Sequence, residues 1–137
     1  MAVIKVLIRQ EADGTLSFGN YELPEKKKLA DFPFEGDLYK VKTFKEITRL
    51  EKNGIAVYES DPGTVVTGMK ADDKGISFTV EGLEDSSVIL GLEAEQEYKI
   101  SIDGHEHGQT KTNLGGKLFL TVELNPGQPV QVKAEKM

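Results

Sequence analysis

Hydrophobic and polar residues alternate with a period of two along most of this chain. "ISFTVE" places Ile76, Phe78 and Val80 on one face and Ser77, Thr79 and Glu81 on the other. "EYKISID" repeats the pattern with Tyr98, Ile100 and Ile102, "KLFLTVEL" with Leu118, Leu120, Val122 and Leu124, and "PVQVKAE" with Val130, Val132 and Ala134. Such alternation predicts strands with one buried face. Turn residues separate the runs: Asp13-Gly14, Asn53-Gly54, Asp61-Pro62-Gly63, Asp103-Gly104, Gly115-Gly116 and Asn125-Pro126-Gly127. Short strands spaced by Gly-rich turns predict an all-β protein, an antiparallel β-sandwich. About seven such runs follow "SDPGT", the count of an immunoglobulin-like sandwich. The expected organisation is therefore a smaller N-terminal β region with hairpins over 1–63 and an immunoglobulin-like sandwich over 64–137, as two parts or one continuous domain.

Three segments depart from simple alternation. The run "AVIKVLI" is apolar on both faces and reads as a buried first strand. It is too short for a spanning helix and lacks the long apolar stretch and cleavage site of a signal peptide, so the expected location is cytoplasmic. "TFKEITRLEKNG" satisfies a helix, with a Thr43/Glu46 capping box and Phe44, Ile47 and Leu50 on one face. It equally satisfies the first arm of a hairpin turning at Asn53-Gly54, and Asn-Gly between strand-like runs makes the hairpin the stronger reading. "PEKKKLADFPFEG", residues 24–36, shows no period and reads as a loop. Its Leu29, Phe32 and Phe34 would plug an open end of the sandwich or be presented to a partner.

Composition narrows the function. The 137 residues include no cysteine, hence no disulfide framework and no thiolate for metal or nucleophilic work. The net charge is −6, and the acidity lies in the second half: 10 Lys/Arg face 11 Asp/Glu up to Gly68, and 7 face 12 after it. The one basic run, Lys26-Lys27-Lys28, sits among Glu22, Glu25 and Asp31 and reads as a solvated loop. That balance disfavours nucleic acid, whose backbone is held by clustered cations. Membrane binding is equally unsupported.

Candidate chemistry is sparse. His105 and His107, in "DGHEHGQT", are the only imidazoles. Two apart on an extended segment they share a side, which is a workable pair for zinc or copper, but no cysteine or third histidine completes the set, which leaves carboxylates such as Asp103 or Glu106, the latter pointing to the opposite face. A polar hairpin loop is the simpler reading. Nucleophilic catalysis lacks a base away from that loop, no G-x-S-x-G elbow occurs, and "NLGGKL" lacks phosphate-loop spacing and leads into a strand. Twenty-three acids make some carboxylate pair inevitable, so a glycosidase pair cannot be argued from their number. Tyr98 reads as core. Tyr21, Tyr39 and Tyr58 would have to line one face to stack on a sugar.

The stretch "EYKISIDGHEHGQTKTNLGGKLFLTVELNPGQPVQVKAE" resembles β-sandwich accessory modules of polysaccharide lyases and glycoside hydrolases, which implies a supporting or sugar-binding module. Over "IKVLIRQEADGTLSFGNYEL", "GDLYKVKTF", "LEKNGIAVYES" and "TNLGGKLFLTVEL" the chain also resembles short Firmicutes proteins labelled endosialidases. Sialidases of the familiar kind grip the sugar carboxylate with three arginine forks, and this chain has two arginines, Arg9 and Arg49. The resemblance therefore implies a fold more than an activity. The residues together predict a non-catalytic β-sandwich protein without a cofactor, acting in protein–protein interaction or self-assembly through strand edges. The alternative is a carbohydrate-binding module or a vestigial carbohydrate-active protein.

Overall fold

The computed structural model of the chain describes residues 3–137. Thirteen strands follow one another: β1 (Ile8–Gln10), β2 (Leu16–Phe18), β3 (Lys27–Phe34), β4 (Asp37–Phe44), β5 (Ile47–Lys52), β6 (Ile55–Asp61), β7 (Val65–Asp72), β8 (Gly75–Glu81), β9 (Ser86–Gly91), β10 (Glu97–Ile102), β11 (His105–Lys111), β12 (Lys117–Val122) and β13 (Val130–Lys136). They form two antiparallel sheets, β1-β2-β7-β8-β13-β10-β11 and β12-β9-β6-β5-β4-β3, packed as an all-β sandwich. β7 to β13 divide five to one sheet and two to the other, and strands from residues 8–61 complete both. No helix among the described residues is long and apolar enough to cross a membrane.

The inward phase of each alternating run fills one core. Ile76, Phe78 and Val80 on β8, Tyr98 and Ile100 on β10, and Leu118 and Val122 on β12 are all buried. At the centre, Phe18 and Phe78 each meet the ring of Tyr58 edge to face, with centroids 5.4 and 5.5 Å apart. That geometry suits the ring quadrupoles and contributes about 0.5–1.5 kcal/mol per pair beyond burial.

The ambiguous 43–53 segment is the hairpin. Asn53 and Gly54 take φ of 50° and 83°, as a two-residue turn requires. The Asn53 side chain also accepts the N–H of Leu38 and donates to Asp37.

Two expectations are corrected. Residues 24–36 are mostly strand: β3 pairs with β4 from Lys27 to Phe34. Its apolar residues lie three and then two apart because one extra residue is bulged out between Leu29, opposite Val41, and Phe32, opposite Tyr39. Asp31 takes φ of 58° there. The bulge hides the alternation and returns Leu29, Phe32 and Phe34 to the core-facing side. Over its described residues, Val3 to Ile8, the run "AVIKVLI" is not one strand. Leu7 takes φ of 74° and donates its N–H to Ile4, so only Ile8 onward pairs. The run serves two clusters: Ile4 packs with Tyr21 and Val65, while Leu7 and Ile8 join the main core. The chain must turn between them.

The two ends of the sandwich differ. At one end a buried hydroxyl network ties the sheets together. Thr48 Oγ1 donates to the Thr64 carbonyl (2.7 Å) and accepts the Thr64 N–H (3.1 Å). Its one proton being spent, the 2.8 Å contact with Thr43 Oγ1 has Thr43 as donor, and Thr43 in turn accepts the N–H of Asn20. Thr64 Oγ1 also meets Tyr58 Oη and Ser60 Oγ, each at 2.8 Å. At the other end, where β2, β4, β6 and β8 begin and β5 and β7 finish, the sheets part around a cavity.

Candidate functional site

An antiparallel sandwich exposes four edge strands, and three of these are defended. β1 is three residues long. β11, "HEHGQTK", carries no large apolar side chain and breaks register against β10, with Gly108 at φ of 96°. β3 carries Lys27, Lys28, the Asp31 bulge and Pro33, which has no N–H to offer. Lysine, bulges, proline and short length are the devices that stop an edge from templating another strand.

β12 has no bulge and no proline, is six residues long, and carries its one lysine, Lys117, at its first position. It runs in unbroken register with β9 from Lys117 to Val122. Leu92 donates its N–H to Gly116, so the bonded pairs of this ladder recur at Leu118, Leu120 and Val122. The N–H and C=O of Phe119 and Thr121 therefore point to the open side, and they have no partner among the described residues. The Phe119 ring is 60% exposed on the outer face beside Ile89. Leu114, three residues before β12, and Leu83, in the loop leading to β9, are exposed as well. Lys117 turns aside to donate to the Ala56 carbonyl, next to the exposed Ile55. One edge thus combines free backbone groups with an apolar surround.

The cavity between the sheets is the second feature, with a volume of about 540 Å³. Leu16, Phe34, Met69 and Ile76, all buried, form its floor with the half-buried Val57 and Leu92. Its rim carries Glu35, Asp37, Asp72, Asp73 and Glu93 against Lys52 and Lys70. Asp37 lies 3.5 Å from Lys52, and its carboxyl is held below the usual range first by the hydrogen bond from Asn53 and then by that ammonium. Glu93 pairs with Lys136, whose ammonium is pushed up by that bond. Tyr39 stands at the mouth with its ring edge-on to Phe34 at 5.7 Å. Its hydroxyl is pushed up by burial first, then by Asp37 and Glu35.

The residues singled out in the sequence are scattered. Tyr21 and Tyr58 are buried in different clusters, and only Tyr39 reaches solvent, so the three do not share an exposed face. Burial pushes the Tyr58 hydroxyl up to about 12. His105 and His107 are exposed on β11, and among the described residues no three His, Asp or Glu side chains stand together as a metal set. Leu29, Phe32 and Phe34 face the core, with Phe34 in the cavity floor. Tyr98 is buried with its hydroxyl accepting the N–H of Glu93 at 3.3 Å.

Phe119 was legible as an anomaly: in "KLFLTVEL" it is the one large apolar residue in the polar phase. The cavity rim gave no signal, because its acids come from separate turns. No family model, no curated protein and no solved structure matches the chain.

Proposed function

We propose that this chain is a non-catalytic association protein that pairs with a second copy of itself through β12. The observation that carries the reading is the β12 edge, unbroken in register and apolar at Phe119, beside three better defended ones. An antiparallel strand pair is self-complementary, so two copies related by a two-fold axis exchange the free groups of Phe119 and Thr121 and extend the six-stranded sheet. The same step covers Phe119. The hydroxyls buried at the closed end supply no opposing case for catalysis, since Thr43, Thr48, Ser60 and Thr64 have no imidazole or carboxylate among their hydrogen-bond partners. A carbohydrate module is the weaker reading, because of the four tyrosines only Tyr39 reaches solvent, and one tyrosine makes no stacking platform.

Sedimentation velocity over a rising concentration series tests this. The wild-type chain is expected to form a dimer, and Phe119→Lys, at an exposed position, is expected to weaken it at least tenfold, with an unchanged thermal midpoint at concentrations where both chains are monomeric. A wild-type chain that stays monomeric at the highest concentration overturns the reading. A dimer indifferent to Phe119→Lys places association elsewhere and overturns β12 as its seat.

A further inference from the structure

We propose that the cavity between the two sheets binds a cationic amphiphile, its apolar body on the floor and its ammonium or guanidinium head at the acidic rim. Volume comes first. Protein interiors pack at a density near 0.75 with few voids larger than a water molecule, and about 540 Å³ falls within the range of about 300–1,000 Å³ typical of small-molecule sites. The floor is apolar, so water filling it finds few of the partners that hold a buried water in place.

Charge then selects the occupant. Five carboxylates line the cavity against two ammonium groups. Lys52 is spent on Asp37, and Lys136 reaches in to Glu93 from outside the lining. Glu35 and Asp73 have no ion pair among the described residues, and Asp72 only caps the N–H of Lys74. A fatty carboxylate would bring a like charge into this rim. A neutral sugar would leave its hydroxyls unpaired over Leu16, Met69 and Ile76. An alkyl cation satisfies both zones.

The residues of β12 lie outside the cavity lining, so the site and the β12 edge are independent of one another. The test of the site is calorimetric titration of the full chain with decylammonium and, separately, with decanoate, which share a tail length and differ in head charge. Decylammonium is expected to bind saturably at one site and decanoate at least tenfold more weakly. Glu35→Lys with Asp73→Lys, both exposed and outside any ion pair among the described residues, is expected to weaken decylammonium at least tenfold. Should that variant not fold, Glu35→Gln with Asp73→Asn is read in its place, with a smaller loss in the same sense. Equal binding of the two probes, no saturable binding of decylammonium, or unchanged affinity in a folded rim variant each overturns the site.

Discussion

The two ends of this sandwich are built from the same strands and behave as opposites. Around Thr43, Thr48, Ser60 and Thr64 the sheets are closed, with hydroxyls bonded across the gap. Around Leu16, Met69 and Ile76 they stand apart over a cavity. Connectivity accounts for much of this. Four connections cross between the sheets at the closed end: β2 to β3, β6 to β7, β8 to β9 and β12 to β13. Two cross at the open end, β9 to β10 and β11 to β12, where the remaining links are hairpins within one sheet. Crossing segments draw the layers together, and their backbone groups demand buried partners, which Thr43 supplies to the N–H of Asn20 and Thr48 to the N–H and C=O of Thr64. Hairpins make no such demand, so an opening persists there.

The sharpest way to break the contrast is Thr48→Val. This nearly isosteric change strands the N–H and C=O of Thr64 and the hydroxyl of Thr43, and it is expected to destabilise by about 3 kcal/mol in denaturant unfolding. A loss below about 1 kcal/mol would mean the closed end is held by packing alone.

Next is the alkaline limb of stability. Tyr58 is ionised near pH 10 when unfolded and near 12 when folded, so the unfolded state releases its proton first. Stability is therefore expected to fall between pH 10 and 12 by about 2 kcal/mol, and Tyr58→Phe should flatten that fall. Lys136, with its folded value raised, contributes in the same sense: its pairing with Glu93 is lost as pH climbs through that value. An unchanged slope in Tyr58→Phe would assign the limb to other groups.

The smallest effect belongs to the open end. Ile76→Val removes a methylene beside space that is already empty, so it is expected to lie near the lower limit for this change, about 0.5 kcal/mol. A loss above about 1.5 kcal/mol would show that the methylene is packed and the cavity shallower than described.

The strands were legible in the sequence wherever they are regular. β8, β10, β12 and β13 follow period-two alternation, and Asn53-Gly54 announced its hairpin through the φ values it must adopt. Legibility failed where one residue upsets the phase. The bulge at Asp31 disguised β3 as a loop, and the left-handed Leu7 split an apolar run that looked continuous. Those are local backbone choices fixed by distant partners, Val41 and Tyr39 in one case and Tyr21 and Val65 in the other. The cavity was beyond reach for the same reason: Glu35, Asp73 and Glu93 meet only because strand order brings separate turns to one rim. Phe119 was visible as a residue out of phase, but its meaning depended on β12 lying at an edge.

The hairpin glycines at the open end carry a last consequence. Gly14, Gly36 and Gly54 each turn a hairpin with φ near 84°, and a side-chain carbon built on any of them would meet only solvent. Residues inserted at these tips displace no interior atom. The scaffold can thus exchange its entrance while keeping its frame, so related chains are free to diverge in what they admit long before they diverge in how they fold.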